Sequence, residues 1–490
     1  MKLPGKFVER VLRDLGAAQG EALCAALEEA PPVSVRLHPD KCGGFLPESA
    51  AVCGGLSEAP GGRPASAVPE AGAGVRALLR SGCGERVPWC GEGYYLPVRP
   101  PFTLDSDFHA GAYYVQEASS QIAGLLLGGA EALAGRRILD LCAAPGGKTT
   151  LYASLAGPDG LVVANEIDRR RVQALADNVR KWGTGNVAVT CCEASRLGDF
   201  EAWFDAVAVD APCSGEGMFR KDAEARAEWS EGNVRLCAAR QDGILREAWR
   251  ALKPGGTLLY STCTFNRDED EGSLERMLSW AGEEVAEADE PPVPASWGVV
   301  AGRVGPFRTY RFYPHLSRGE GFFAAVARKA PDAGGRSRTP KSRRTLLEAP
   351  GREAAAELRR WVRDAEQMAF ARIADTCYAW RASQFAAVKA LSGSLPVVCS
   401  GVALGQLFKG RLKPDPALAF AVTLDRGALP AAELGEEEAL RFLRRQEIAA
   451  ADLAEGVNLV CARGLALGFA KRIGARVNNM YPNSLRIIKQ

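Results

Sequence analysis

Between residues 136 and 263 the chain repeats one pattern: a short, nearly unbroken apolar run, a turn, and a helix-length stretch. The runs are RRILDLC (136–142), LVVANE (161–166), VAVTCC (187–192), FDAVAVD (204–210) and TLLYSTC (257–263). Apolar runs without polar alternation suit strands covered on both faces, so the pattern predicts a parallel sheet wrapped by helices, a doubly wound α/β domain. Helices are expected from about Lys148, over about 168–182 and over about 233–252, the last stopped by Pro254 and Gly255. RTYRFYP (308–314) and GFFAAVARK (321–329) read as a closing hairpin. Ligands on such sheets sit at the carboxyl ends of the strands, so the loops after the apolar runs are where chemistry is to be sought.

Composition narrows that chemistry. Of 490 residues only three are His, which argues against a Ser-His-Asp hydrolase. There are 14 Cys, none spaced as CxxC, which with so few His argues against a zinc site and points to reduced, buried or catalytic thiols. No apolar run reaches the roughly 18 residues of a membrane span. The start, MKLPGKFVERVLRDLG, lacks the apolar core of a signal peptide, so a soluble, cytoplasmic protein is expected. Net charge is only +2, from 61 Lys+Arg against 59 Asp+Glu, so any nucleic-acid footprint must be local.

Two such local patches exist. Residues 328–344 hold seven Lys/Arg and one acid, within a Gly/Pro-rich break that reads equally as a solvated linker or an RNA contact. Residues 471–489 hold five Lys/Arg and no acid. Elsewhere, 43–74 is Gly/Pro-rich and reads as loop, 350–390 reads as helical, and 395–490 as a small β-rich module.

Three constellations carry the chemistry. DLCAAPGGKTT (140–150) lies between a strand and a helix; its glycines permit a tight turn and close backbone approach to a ligand. A P-loop would need Gly where Cys142 stands, and GxGxxG is absent, so neither common phosphate motif fits. Glu166, 26 residues after Asp140, ends the next run and suits a pair of ribose hydroxyls. DAPCSGEG (210–217) and YSTCT (260–264) then place Asp210, Cys213 and Cys263 beyond two further strands, and neighbouring strands would bring both thiols to one cleft.

Together these motifs resemble the Sun/Nop-type family of S-adenosylmethionine-dependent RNA cytosine carbon-5 methyltransferases. PFTLDSDFHAGAYYVQEASS (101–120), LPGKFVERVLRDLG near the start and GLALGFAKRIGARVNNMYPNSLRI near the end are similar to its bacterial, RsmF-like branch, which acts on small-subunit ribosomal RNA. The resemblance implies a Rossmann-like methyltransferase domain (126–330), an N-terminal α+β RNA-binding region (1–125), a basic linker (331–345), a helical subdomain (346–395) and a PUA-like RNA-binding module (396–490). It implies S-adenosyl-L-methionine as cofactor, held by Cys142, Ala143, Ala144, Pro145, Gly146, Gly147, Lys148, Glu166, Glu193 and Asp210. Glu193 stands where the family usually has Asp. The implied substrate is 16S rRNA or the small ribosomal subunit, with transfer RNA or a catalytically silent assembly factor as alternatives; no membrane or obligate protein partner is implied.

Cytosine carbon 5 is a poor nucleophile until a thiolate adds to carbon 6, which is why such chemistry needs cysteine. The resemblance assigns nucleophilic attack to Cys263, product release to Cys213, and contact with cofactor and base to Asp210. The Pro212-Cys213 pair leaves a second reading open, in which Cys213 attacks, as in DNA cytosine methyltransferases. Lys148 and Lys221 are candidate cations beside the thiols. His38 reads as a tolerated surface change, His109, Tyr113 and Tyr114 as packing before substrate contact, and Cys191 and Cys192 as packing.

Overall fold

The computed structural model describes residues 2–43, 45, 74–341 and 346–488. Most of the expected 43–74 loop, together with Arg343, Arg344 and Lys489 of the basic patches, lies outside the described residues.

The N-terminal region is α+β. β1 (Val33–Leu37), β2 (Glu85–Arg86), β3 (Gly93–Leu96) and β4 (Tyr113–Val115) form an antiparallel sheet in the order β2-β3-β1-β4. Helices Gly5–Leu15 and Ala17–Ala26 precede it. They bury Phe7, Val11, Leu23 and Leu27 against Phe219, Trp229 and Phe265, so the chain start is packed onto the segments that carry the thiol motifs.

The apolar runs form the expected parallel sheet: β5 (Arg137–Asp140), β6 (Leu161–Asn165), β7 (Val187–Thr190), β8 (Phe204–Asp210) and β9 (Leu252–Thr262). β10 (Val285–Ala286), β11 (Val300–Val304), β12 (Phe307–Phe312) and β13 (Phe322–Lys329) extend it antiparallel, giving β11-β12-β13-β9-β8-β5-β6-β7. Successive residues feed two cores: Ile138, Val162 and Ala208 on one face, Leu139, Val163 and Val207 on the other. This double burial is the physical reason the runs lack polar alternation. The chain steps from β5 to β6 and β7, then crosses to β8 on the other side, so the switch point opens between the carboxyl ends of β5 and β8.

Three expectations are corrected. The long helix is Glu231–Ala251 and β9 begins at once with buried, extended Leu252, so the turn to strand precedes Pro254 and Gly255 rather than occurring at them. The region 346–395 is not simply helical. Its first helix stops at Arg359, and a hairpin of β14 (Met368–Ile373) and β15 (Thr376–Arg381) precedes helix Ala382–Ser394. Met368, Ala371, Cys377, Ala379 and Trp380 are buried there, and packing in the pleat overrides the charged helical composition upstream. Nor is 396–490 one module. β16 (Val397–Ser400) pairs antiparallel with β7 and completes the central sheet. β17 (Val402–Phe408) and β18 (Arg411–Pro414) join β14 and β15, and only β19 (Ala431–Glu433), β20 (Gly456–Ala462), β21 (Leu465–Ile473) and β22 (Arg476–Asn479) form the last sheet.

Candidate active site

Three loops meet at the switch point. The first leaves β5 and enters helix Gly147–Ala156. Gly146 takes φ +109, a conformation L side chains rarely adopt, and a Cβ there would lie 3.1 Å from Leu175. The turn aims the helix start, with its unpaired N–H groups, into the cleft. The loop is braced from outside: Tyr114 OH and Asn178 Nδ2 donate to the Pro145 carbonyl at 3.2 and 2.9 Å, and Arg171 donates to the Ala144 carbonyl at 2.8 Å. Arg36, reaching from β1 and fully buried, donates to the Gly147 carbonyl at 3.2 Å and to Thr150 Oγ1 at 2.6 Å. Burial lowers its pKa to about 10.

Asp140 beneath the loop accepts from Thr149 at 2.6 Å, while its other oxygen is buried with no hydrogen-bond partner among the described residues. Burial pushes its pKa up to about 7. Cys142 is likewise raised by burial, so its thiol stays protonated and inert. Glu166 is buried at the end of β6, where Oε1 accepts from Asp168 N–H at 3.0 Å and Oε2 lies 3.4 Å from Arg171. Glu193 sits in the parallel position after β7, exposed at the start of a short helix with no side-chain capping bond.

β8 and β9 are parallel neighbours with Asp210 opposite Ser261, so Cys213 and Cys263 leave the same end of adjacent strands. Their sulfurs are 3.3 Å apart, and Cys263 N–H points at Cys213 Sγ at 3.4 Å. The hydrogen bond with Cys263 and burial both raise the Cys213 pKa well above the usual thiol range. Asp210 takes the Lys148 ammonium on one oxygen at 2.7 Å and Ser261 Oγ on the other at 2.9 Å. Burial alone would lower the Lys148 pKa, but Asp210 outweighs it and the group is held above its ordinary value. Lys221, the other candidate cation, instead pairs with Glu320 at 3.1 Å.

A buried polar network, not foreseen from the sequence, clamps the two thiol loops. Glu269 accepts Ser214 N–H at 3.0 Å, Gln241 Nε2 at 2.9 Å and Asn266 Nδ2 at 2.8 Å. Glu216 accepts Phe265 N–H and Trp229 Nε1, both at 2.9 Å. The backbones close together at Gly217, where a Cβ would lie 2.5 Å from the Gly321 carbonyl and 3.0 Å from that of Cys263. DAPCSGEG and STCTFN supply Ser214, Glu216, Phe265 and Asn266, so part of the signal was present as polar residues flanking the cysteines; Trp229, Gln241 and Glu269 come from outside both motifs.

Other sequence readings are settled by burial. His38 is a correction: it is fully buried, not a surface residue, with Asp40 N–H donating to Nδ1 and Nε2 donating to the Trp182 carbonyl, both at 3.0 Å. Burial, with Lys41 and Arg36 nearby, lowers its pKa to about 2. His109 bonds to the Thr103 carbonyl at 3.0 Å and Tyr113 to Asp105 at 2.9 Å, as packing residues do. Cys191 and Cys192 pack against the two cores. Of the basic patch at 328–344, Lys329 is buried on the Trp249 carbonyl and the half-exposed Arg328 pairs with Asp289, while Arg336, Arg338 and Lys341 are exposed. Among the described residues no helix is long and apolar enough to cross a membrane.

Comparison with known proteins agrees with this geometry. A family model described as 16S rRNA methyltransferase RsmB/F matches residues 131–328. The N-terminal domain of 16S rRNA methyltransferase RsmF matches 73–118, and the methyltransferase RsmF PUA domain matches 430–487. Ribosomal RNA small subunit methyltransferase F of Erwinia tasmaniensis is 32% identical over 426 residues, 81% of this chain and 84% of that protein. Its Escherichia coli counterpart is 32% identical over 424 residues, again 81% and 84%. Among solved structures, a methyltransferase homolog protein from Pyrococcus horikoshii is 26% identical, with a TM-score of 0.51 over 66% of this chain and 94% of that one.

Proposed function

This chain belongs to the RsmB/F family of 16S rRNA methyltransferases, and from that premise we propose that it transfers methyl groups to cytosine carbon 5 in small-subunit ribosomal RNA, in the cytoplasm where that RNA is made. The observation that carries the reading is the thiol pair, 3.3 Å apart at the switch point, beside an aspartate fixed by Lys148.

The site fits S-adenosyl-L-methionine. The loop Cys142, Ala143, Ala144, Pro145, Gly146, Gly147 and Lys148 offers backbone groups and a helix start to its polar end, the buried Glu166 carboxylate suits vicinal hydroxyls, and Glu193 lies at the neighbouring strand end for the adenine side. Bound there, the cofactor supplies an electrophilic methyl group. Cys263 attacks carbon 6 of the cytosine, and the ring becomes nucleophilic at carbon 5. Asp210, oriented by Lys148 and Ser261, is placed to relay a proton from the Lys148 ammonium to the ring nitrogen, which neutralises the negative charge that builds there on addition. The carbon-5 proton then passes to water and β-elimination breaks the carbon 6–sulfur bond, releasing the Cys263 thiolate, with Cys213, whose sulfur is 3.3 Å away, placed to assist that release. The likeness of YSTCT (260–264) to the family's nucleophile motif favours Cys263 over Cys213 as nucleophile. Residues 1–125 and the modules after 330 then serve RNA binding around the methyltransferase domain.

The test is methyl transfer from labelled S-adenosylmethionine to naked 16S rRNA, assembled small subunits and total tRNA, with the product base mapped. Label as 5-methylcytosine in the first or second is expected; label confined to tRNA overturns the substrate, and none in any of the three overturns the activity. Cys263→Ala should abolish both turnover and the covalent protein–RNA adduct, and Cys213→Ala should accumulate that adduct. The opposite pattern would make Cys213 the nucleophile.

A further inference from the structure

The β17–β18 hairpin presents a surface that the folding of its sheet does not require. Its strands pair Gln406 with Lys413, Leu407 with Leu412, and Phe408 with Arg411. Leu407 and Leu412 face the core of the third sheet. The alternate pairs therefore share the outer face, where Gln406, Phe408, Arg411 and Lys413 are all exposed, and Phe408 is 69% exposed. The connecting turn is Lys409–Gly410, with φ +50 and +78. A two-residue turn of this hand favours Asn or Gly at its first position, and here that position carries a lysine in the left-handed region, its ammonium 5.6 Å from the Phe408 ring. Among the described residues, Lys409, Arg411 and Lys413 have no acidic partner within ion-pair distance.

β18 is the edge strand of its sheet, and charged side chains commonly guard such edges against pairing with other chains. That explains Arg411 and Lys413. It does not explain Phe408, since an exposed aromatic ring at an open edge works against the same protection. An aromatic face flanked by unpaired cations is what a single-stranded nucleic acid uses: a ring on which a base stacks and ammonium or guanidinium groups that follow its phosphates.

We propose that the outer face of the β17–β18 hairpin, Phe408 with Lys409, Arg411 and Lys413, docks an unpaired stretch of the RNA substrate outside the thiol cleft. The proposal rests on the reading of the chain as an RNA methyltransferase. It adds a contact that holds the RNA at a distance from the target base, so its effect belongs in affinity and not in the chemical step.

The full-length chain is titrated with naked 16S rRNA at several salt concentrations, and methyl transfer is measured at saturating RNA. Phe408→Ala should weaken binding about tenfold, as loss of one stacked base does, and Phe408→Trp should retain it. Replacing Lys409, Arg411 and Lys413 together by Gln should reduce the slope of log affinity against log salt by about 2, at roughly 0.7 per single-strand phosphate contact. Turnover at saturating RNA should stay within about twofold of the parent chain, because no residue of the thiol cleft is touched. Unchanged affinity and salt slope in these variants would overturn the proposal. So would a defect seen with assembled subunits but absent with naked rRNA, which would make the surface a contact for ribosomal protein. A parent chain that binds no RNA would overturn the functional reading itself, and this surface with it.

Discussion

Burial holds His38 and His109 neutral inside the fold, and their titration takes stability away in acid. Burial lowers His38 to about 2 and His109 to about 4, whereas in the unfolded chain both return to about 6.5. Below pH 6.5 the unfolded state therefore binds protons that the folded state refuses. Stability contributed by neutral burial is complete above that pH and falls as the solution becomes more acidic, by up to about 1.4 kcal/mol per pH unit for each histidine. The His109 contribution levels off near pH 4; that of His38 continues toward pH 2. Asp140, raised by burial to about 7, acts with the opposite sign over part of this range, so the check is comparative: the urea midpoint should change less favourably between pH 7.5 and 5 in the parent chain than in His38→Asn. Equal pH dependence in the two proteins would mean His38 is protonated in the fold.

At the level of elements, sequence pattern revealed whatever is local and missed whatever is shared. The five parallel strands were legible because each is buried on both faces, and the loops bearing Cys142, Cys213 and Cys263 followed from their positions after those strands. The 3.3 Å thiol contact was legible only as adjacency, since register across two strands is not written in either one. Glu269 and Arg36 escaped because each acts on a loop supplied by another part of the chain, Arg36 being 111 residues from Gly147. The hairpin Met368–Arg381 was hidden by charged neighbours with helical composition. Arg36 makes this dependence measurable, since it joins the N-terminal sheet to the first turn of the cofactor helix. Arg36→Met removes bonds to Gln116, Gly147 and Thr150 and should destabilise the protein by about 2 kcal/mol, part of the loss being offset by relief of a buried charge. It should also weaken S-adenosylmethionine binding in calorimetry; full cofactor affinity would show that the loop holds its shape without this support.

For the whole molecule, the N- and C-terminal regions are fastened to each other as well as to the centre. Arg463, between β20 and β21, pairs with buried Asp107 at 3.3 Å and with Asp105 at 3.6 Å, and Asp107 is also held by Arg76 at 2.9 Å. Tyr481 lies against His109 nearby. The strongest tie, however, is β16. The family match to the methyltransferase region ends at residue 328, yet the sheet is extended by Val397–Ser400, which covers the outer edge of β7. A fragment ending at 330 would expose that edge as a row of unpaired backbone donors and acceptors. Such a fragment should elute from size-exclusion chromatography as oligomers while the full chain does not; a monodisperse fragment would show the edge to be harmless. A recombination event that exchanged the downstream segment for another would face the same constraint, since it would have to bring its own strand to that edge.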